Sequence, residues 1–446
     1  MPDNRVLIDP SESRLKVAGR VFKLALPIIL SNLLYSAESA FSLLLVSGLS
    51  ATAVAAVGYS ASMLWFIYSL MAIAYTGTSV LVAQRVGAGK DPSPALLWGM
   101  VLATLIALPL TFWGEDLVVY FMLAFGASTG VAELAREYLR PVFLVVTVSF
   151  LTEVLYAGYS GYGDTKTPFK VALLMNLVHI SCAYLLIYGE FGFPRLEVSG
   201  AGWGVALSEL TGFVLYCYLY LRHRKPFPVR PSFDRGVLLQ MLRIGAPSAV
   251  ERATTSLSFN VFVGLVAQFG DKALAAHQVG LRVESISYMV GFGMMIASTT
   301  LSGQNYGAKN FRGLDYGVKV CAHSTALAMG FIGLLLMVFP HHLSMVFTRD
   351  PEVINYAVYY LVIVALSQPQ MAYASIFSGS LKGMGKTHLI LVVNLSSFWL
   401  FRILPSLVVL ELFSHPVVPW VFMSLETTLR ALIFYWVYRR EVRRYL

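Results

Sequence analysis

The stretch YSAESAFSLLL, residues 35–45, sets a carboxylic acid, Glu38, one helical turn before a hydroxyl, Ser42, inside an apolar run from about Val21 to Ser47. A carboxyl group at mid-bilayer depth costs about 2.5–3.5 kcal/mol to insert, so it ordinarily faces a partner or a wet cavity. In such surroundings it can take up and release a proton near neutral pH. His179, with Asn176 a turn before it, lies in a later apolar segment and is the natural partner, since imidazole titrates in the same range. The plainer alternative is a protonated Glu38 that is hydrogen-bonded and purely structural. Tyr35, Tyr68 and Tyr156 could line an aromatic cavity beside Glu38, with Glu153 and Glu209 as further acidic candidates. The second half has its own buried charges, Glu251, Arg282, Glu284 and Arg402. Charges at comparable depth should neutralise one another, either as a structural network or as a second proton or cation site centred on Glu251. Glu426 and Arg430 stand at i and i+4 and should pair.

Positioning these groups falls to membrane helices. Of 446 residues, 57% are hydrophobic and 13% charged, against about 25% charged in an ordinary soluble domain. Apolar stretches recur along the chain, many exceeding the ~20 residues that a helix needs to cross the hydrocarbon core. Twelve spans are expected, near 21–47, 54–84, 94–114, 134–160, 168–189, 199–222, 237–269, 273–304, 315–338, 353–381, 388–412 and 416–438. Most of the 33 Lys and Arg residues fall in the leader, the tail and alternate connections such as QRVGAGKD, GDTKTPFK, RHRKPFPVRPSFDR and KGMGKTH. The intervening connections, such as GEFGFPRLE, GDK and ELFSHP, are poor in them. The positive-inside rule puts both termini in the cytoplasm of an inner-membrane protein, and accounts for the net charge of +9 without a nucleic-acid partner. Residues 1–20 lack the short apolar core and cleavage site of a signal peptide and read as a cytoplasmic leader. Cys182, Cys217 and Cys321 are single and apolar in context, which suits packing and not a metal or disulfide framework.

The chain repeats itself at an offset of 220 residues. Pro27 aligns with Pro247, Val46 with Val266, and Gln84, Gly87 and Ala88 with Gln304, Gly307 and Ala308. The expected architecture is an all-α membrane protein of twelve transmembrane helices in two pseudo-symmetric six-helix lobes. The leader (1–20) precedes an N-terminal lobe (21–222), a linker (223–236), a C-terminal lobe (237–438) and a basic tail (439–446). Because each half has six spans, the repeat is parallel, an organisation typical of transporters that alternate access between two lobes. No re-entrant filter or charged ring argues for a channel. No HExxH or paired Asp argues for an intramembrane enzyme, and the GAGK and GMGKT turns lack the spacing of a phosphate-binding loop. Pro27, Pro247 and Pro369 can bend their helices where neighbours re-satisfy the freed backbone.

The ordered stretches LALPIILSNLL, ATAVAAVG, GYSGYGDTKTPF, SGAGWGVALSE, IGAPSAVE, ALAAHQVGLRVESIS, SGQNYGAKN and LKGMGKTHLILVVNLSSFWLFRI cover both halves. Together they resemble the multidrug and toxic compound extrusion (MATE) family, in its DinF-like prokaryotic branch. The resemblance implies a monomeric antiporter with no cofactor, exporting small amphipathic drugs and organic cations against an inward flow of protons, with sodium ions as the alternative. A lipid-linked oligosaccharide flippase shares the broad architecture, but would favour an Arg-rich cavity. The branch commonly carries an Asp where this chain has Ser42, and an Asn followed by Asp or Asn where it has His179 and Ala183. Glu38 could take over the missing acid's role from one turn away.

Overall fold

Hydrocarbon offers no hydrogen-bond partners, so a chain this apolar must satisfy its backbone within helices. The computed structural model describes residues 5–410 and 415–446, and its regular elements are all helical. In chain order they are α1 (Arg14–Ser47), α2 (Ala51–Tyr68), α3 (Ala72–Gly87), α4 (Ser93–Ala124), α5 (Thr129–Leu144), α6 (Val146–Tyr162), α7 (Lys166–Tyr188), α8 (Val198–His223), α9 (Arg235–Ala267), α10 (Asp271–Gly307), α11 (Phe311–Val338), α12 (Pro340–Met345), α13 (Pro351–Gly383), α14 (Thr387–Ser396), α15 (Leu404–Leu410) and α16 (Val417–Arg443). A π-helical turn, Ser397–Ile403, joins α14 to α15.

Ten helical segments among the described residues are long and apolar enough to cross a membrane, and α5 with α6, bent by 54°, makes an eleventh. The expected seventh span is α9, which has the length but carries Arg243, Glu251 and Arg252 and so falls short on apolar character. The expected second span divides into α2 and α3 around a turn at residues 69–71. Of the ELFSHP connection, residues 411–414 lie outside the described residues, as do residues 1–4 of the leader. Pro27, Pro247 and Pro369 all lie inside helices, in α1, α9 and α13.

Contacts group the chain into two compact units. The first comprises Leu30–Val82 and Asp91–Ala249; the second comprises the chain up to Ile29, Ala83–Lys90 and the chain from Val250. The boundaries in α1 and α9 fall at Ile29 and Ala249, separated by the 220-residue offset of the repeat.

Within the first unit, α8 lies close against α7 because glycines face it. A Cβ on Gly200 would meet the Leu186 carbonyl carbon at 2.6 Å, and one on Gly204 would meet the Ala183 Cβ at 2.8 Å. Small residues at such crossings let backbones approach where lipid supplies no hydrophobic drive. The Tyr188 hydroxyl then donates to the Leu45 carbonyl at 2.6 Å, tying the end of α7 to α1. These contacts fix the height and rotation of the helix bearing His179. At the basic end of the unit the linker docks on α4, with Arg230 N–H donating to Ser93 Oγ (2.9 Å) and Trp98 Nε1 to the Asp234 carbonyl (3.0 Å).

In the second unit, the leader is part of the core. Val6 and Ile8 are buried with Val17, Val21 and Ala25 of α1 against Leu301, Leu314, Val318 and Tyr438. Polar side chains at the α10–α11 corner clasp the leader's backbone: Val6 N–H donates to Gln304 Oε1 (2.6 Å), Ile8 N–H to Asn305 Oδ1 (3.0 Å), and Asn305 Nδ2 to the Val6 carbonyl (2.8 Å). Asn310 Nδ2 donates to the Ile8 carbonyl at 2.7 Å, and the Tyr316 hydroxyl to the Glu12 carbonyl at 2.7 Å. Beside this corner, the ends of α3 and α10 cross at their equivalent glycines. A Cβ on Gly87 would meet the Gln304 carbonyl oxygen at 1.9 Å, and one on Gly307 would meet that of Gln84 at 1.9 Å. The repeated Gln-x-x-Gly-Ala is therefore a reciprocal contact.

Replacing Asn305 by Ala strips partners from buried backbone groups of the leader, each costing about 1–3 kcal/mol. The expected outcome for Asn305→Ala is a lower thermal midpoint and faster tryptic cleavage at Arg14 and Lys16; unchanged protection would show that burial of Ile8 alone holds the leader.

Candidate functional site

The acid, imidazole and hydroxyl singled out in the sequence meet in the first unit. His179 on α7 places Nδ1 against Glu38 Oε1, while its Nε2 is 2.9 Å from Ser42 Oγ. One imidazole thus bridges two positions of α1 that are four residues apart. His179 is buried and Glu38 largely so. The second carboxylate oxygen, Glu38 Oε2, is buried and has no hydrogen-bond partner among the described residues. Asn176 does not join the chain, because its Nδ2 donates back to the Ala172 carbonyl at 2.9 Å on its own helix.

Two more carboxyls stand near this pair. Glu209 of α8 is within electrostatic reach of Glu153 of α6 and of Glu38, and the Ser149 hydroxyl lies against it. Tyr35 is within the same reach of all three acids and of Tyr156. Tyr68 lies near Glu209, Glu153 and Tyr138, and Tyr138 lies near Glu38. Ring contacts order this wall: Tyr68 meets Phe150 edge-on at 5.9 Å, and Tyr156 stacks on Tyr75 at 6.2 Å. The result is an acidic, tyrosine-rich cluster with one imidazole, suited to exchanging small positive charges. Tyr138 and Tyr75 carried no signal to set them apart from the other 22 of the chain's 24 tyrosines.

The charges of the second unit separate into three groups. Glu251 accepts from Asn394 Nδ2 (2.7 Å) and Thr255 Oγ1 (3.2 Å), with Lys382 and Arg252 nearby. Glu284 has both oxygens occupied, by the Tyr360 hydroxyl at 2.6 Å and Gln368 Nε2 at 2.9 Å, and Ser287 in turn donates to Gln368 Oε1 at 2.6 Å. Arg402, held in the π-helical turn, pairs with Glu426 at 2.5 Å, while Arg430 reaches the other oxygen of Glu426 at 3.0 Å. Both guanidiniums sit over the Phe398 ring at 4.8 Å. So Arg402 is not paired with Glu251 or Glu284, and Arg282 is exposed with no ion pair among the described residues. Helix rotation turns Arg282 away from Glu284, two residues on.

His277 has no counterpart in the sequence-based expectations. It is fully buried among Phe262, Tyr360 and Trp420, stacked 6.4 Å from the last at 12°, and neither ring nitrogen has a hydrogen-bond partner among the described residues. The stretch ALAAHQVG placed it in an apolar helix, but its aromatic neighbours come from remote spans. Among the described residues no group of three His, Cys, Asp or Glu side chains is arranged to hold a metal ion.

Comparison with known proteins agrees with the repeat. The MatE family model matches residues 27–185 and again 247–408, each match opening on one of the two aligned prolines. A probable multidrug resistance protein NorM from Thermotoga maritima is 28% identical over 435 residues, covering 95% of this chain and 92% of that protein. The multidrug resistance protein NorM of Vibrio cholerae is 26% identical over 396 residues, covering 86% and 85%. Among solved structures, a MATE protein in its straight conformation superposes with a TM-score of 0.89 at 18% identity over 100% of this chain and 99% of the other. An outward-facing MATE multidrug transporter of the MOP superfamily gives 0.89 at 18% over 96% of each. At that identity the likeness is one of fold.

The triad in the second unit makes a stability prediction. Glu426→Gln leaves Arg402 and Arg430 buried side by side without a counter-charge and is expected to cost about 3–5 kcal/mol. Adding Arg402→Met should recover most of the loss in thermal midpoint. A double variant as unstable as the single one would mean that the pairing is not what Glu426 contributes.

Proposed function

The chain belongs to the MatE family, and we propose from that premise that it is a secondary multidrug efflux antiporter, not an enzyme. It exports amphipathic, often cationic compounds in exchange for protons by alternating access. The observation that carries the proton reading is Glu38, with one oxygen against His179 Nδ1 and the other buried and unpartnered. A proton bound to this pair removes one negative charge from a cluster that also contains Glu153 and Glu209. A drug cation seeks the same charge. Proton and drug therefore compete for one site, and exchange follows when each favours a different conformation.

Protons are the coupling ion in this reading because a hard cation such as sodium wants several oxygen ligands. Here the first partner of Glu38 is a ring nitrogen, and Ala183 adds no oxygen beyond its backbone. Relatives described as multidrug resistance proteins support the substrate class. In this reading the protein acts as a monomer in the cytoplasmic membrane, and the alternation of connections rich and poor in Lys and Arg supports placing both termini in the cytoplasm. The tyrosine wall of Tyr35, Tyr68 and Tyr156 would hold the aromatic parts of the cargo.

The test is drug efflux in proteoliposomes with proton and sodium gradients imposed separately. Glu38→Gln is expected to reduce proton-driven efflux by about tenfold or more, within the usual range of a coupling free energy, with folding retained by thermal melting. Glu251→Gln should act more weakly. Full transport by Glu38→Gln would remove Glu38 from the mechanism, and transport driven by sodium alone would replace the ion.

A further inference from the structure

The last helix ends in the densest basic stretch of the chain. Arg439, Arg440, Arg443 and Arg444 fall within six consecutive positions at the end of α16, behind Tyr435 and Trp436. Together these six side chains line a concavity of about 460 Å3. Arg440 sits over the Trp436 ring at 5.6 Å and Arg439 over Tyr435 at 5.7 Å, where its Nη1 also donates to the Tyr435 hydroxyl at 3.2 Å. The aromatic rings thus hold two guanidiniums in place with their remaining donors facing outward. Arg444 is committed to Glu441 at 2.7 Å. By contrast, Arg439, Arg440 and Arg443 form no ion pair with a carboxylate among the described residues.

The face of α16 that leads into this concavity decides what fills it. Val421, Leu425, Leu429, Leu432 and Trp436 recur at helical spacing and are all exposed, forming an apolar stripe that in a membrane faces lipid tails. One turn beyond Trp436 the stripe becomes Arg440 and Arg443. A molecule lying along it needs acyl chains for the stripe and an anionic group for the arginines. Forked guanidiniums match phosphate oxygens, aromatic residues of this kind mark the headgroup level, and arginine clusters just beyond a membrane helix attract anionic lipids.

The geometry points to a binding site for the headgroup of an anionic phospholipid at the end of α16, made by Arg439, Arg440 and Arg443 with Tyr435 and Trp436. The leaflet is the cytoplasmic one, which rests on the orientation adopted above. Free phosphate satisfies the arginines but leaves the apolar stripe unused.

The probe is phosphatidylglycerol brominated in its acyl chains, reconstituted with the full chain, and its quenching of tryptophan fluorescence. The Trp436 signal is isolated by comparison with Trp436→Phe. Quenching is expected to saturate at lower mole fraction with brominated phosphatidylglycerol than with brominated phosphatidylcholine. Arg440→Gln with Arg443→Gln should weaken that preference roughly thirtyfold, as loss of two arginines near the surface implies. A Lys pair at the same positions should retain only part of it, since an ammonium keeps the charge but not the fork, and thermal melting confirms that each variant is folded. Equal quenching by both lipids, or an unchanged preference in the double Gln variant, overturns the site. Loss of the preference in inorganic phosphate, at an ionic strength matched with chloride, overturns the lipid in favour of a free anion. Labelling of Leu446→Cys by an impermeant reagent reads the orientation separately. If that residue is reached from outside, the leaflet and topology are wrong while the lipid preference still stands or falls on the quenching.

Discussion

A polar group inside the hydrocarbon core can find a partner only within the protein, and most of the architecture follows from meeting that requirement. Glu284 has Tyr360 and Gln368 on its two oxygens. Glu426 has Arg402 and Arg430. These carboxyls are held by hydrogen bonds or counter-charges, and disturbing them costs stability. Glu38 has instead a single imidazole against one oxygen and no guanidinium on the other, and its Oε2 has no hydrogen-bond partner among the described residues. An unsatisfied buried group costs about 1–3 kcal/mol, a cost that a proton or a cation bound at Glu38 would relieve. His277 carries the same kind of cost at both ring nitrogens, though its aromatic cage offers a cation no carboxylate.

Because lipid does not push helices together, close approach comes from small residues, and the repeat uses them twice. Gly87 and Gly307 each leave room for the carbonyl of the other's glutamine partner. The same offset extends to the segments before the first helix of each half. It aligns Val6 with Pro226, Ile8 with Pro228, and Ser93 with Gly313. In the second unit the leader docks on the α10–α11 corner, where Gly313 would clash with the Ile8 carbonyl if it bore a Cβ. In the first unit the linker docks on Ser93 at the start of α4. Two unlike sequences thus fill equivalent places, one through buried amides and the other through a serine hydroxyl.

What the sequence made legible was local. Glu38 and Ser42 share a face by spacing, and Glu426 and Arg430 pair for the same reason. The apolar runs delimited the helices, and the MatE match at 27–185 and 247–408 reproduces the offset read from Pro27 and Pro247. What stayed hidden depends on helix rotation, which periodicity alone cannot rank when a span is apolar on every side. Arg402 meets Glu426 across 24 residues of chain, and Glu284 meets Gln368 across 84. Asn176 shows the converse, since its proximity in sequence to His179 did not bring it to Glu38. The polar character of α9 was legible as composition, yet its length and its Pro247 equivalence outweigh that character in marking it as a span.

The formal charges of the two units differ in a way that bears on mechanism. In the second unit Arg402 and Arg430 match Glu426 and Glu284, and Glu251 lies near Lys382 and Arg252, so each acid has a compensating cation close by. In the first unit Glu38, Glu153 and Glu209 share one another's field, and the His179 imidazole lies against Glu38. Repulsion among three carboxyls in a medium of low dielectric is strong, so the cluster gains most from whichever positive species arrives. A proton satisfies it through Glu38 and His179 without needing space. A drug cation satisfies it only if the tyrosine wall accommodates the attached apolar body. Competition between the two is therefore a property of charge density in this one unit, and it needs no matching acidic site in the other half.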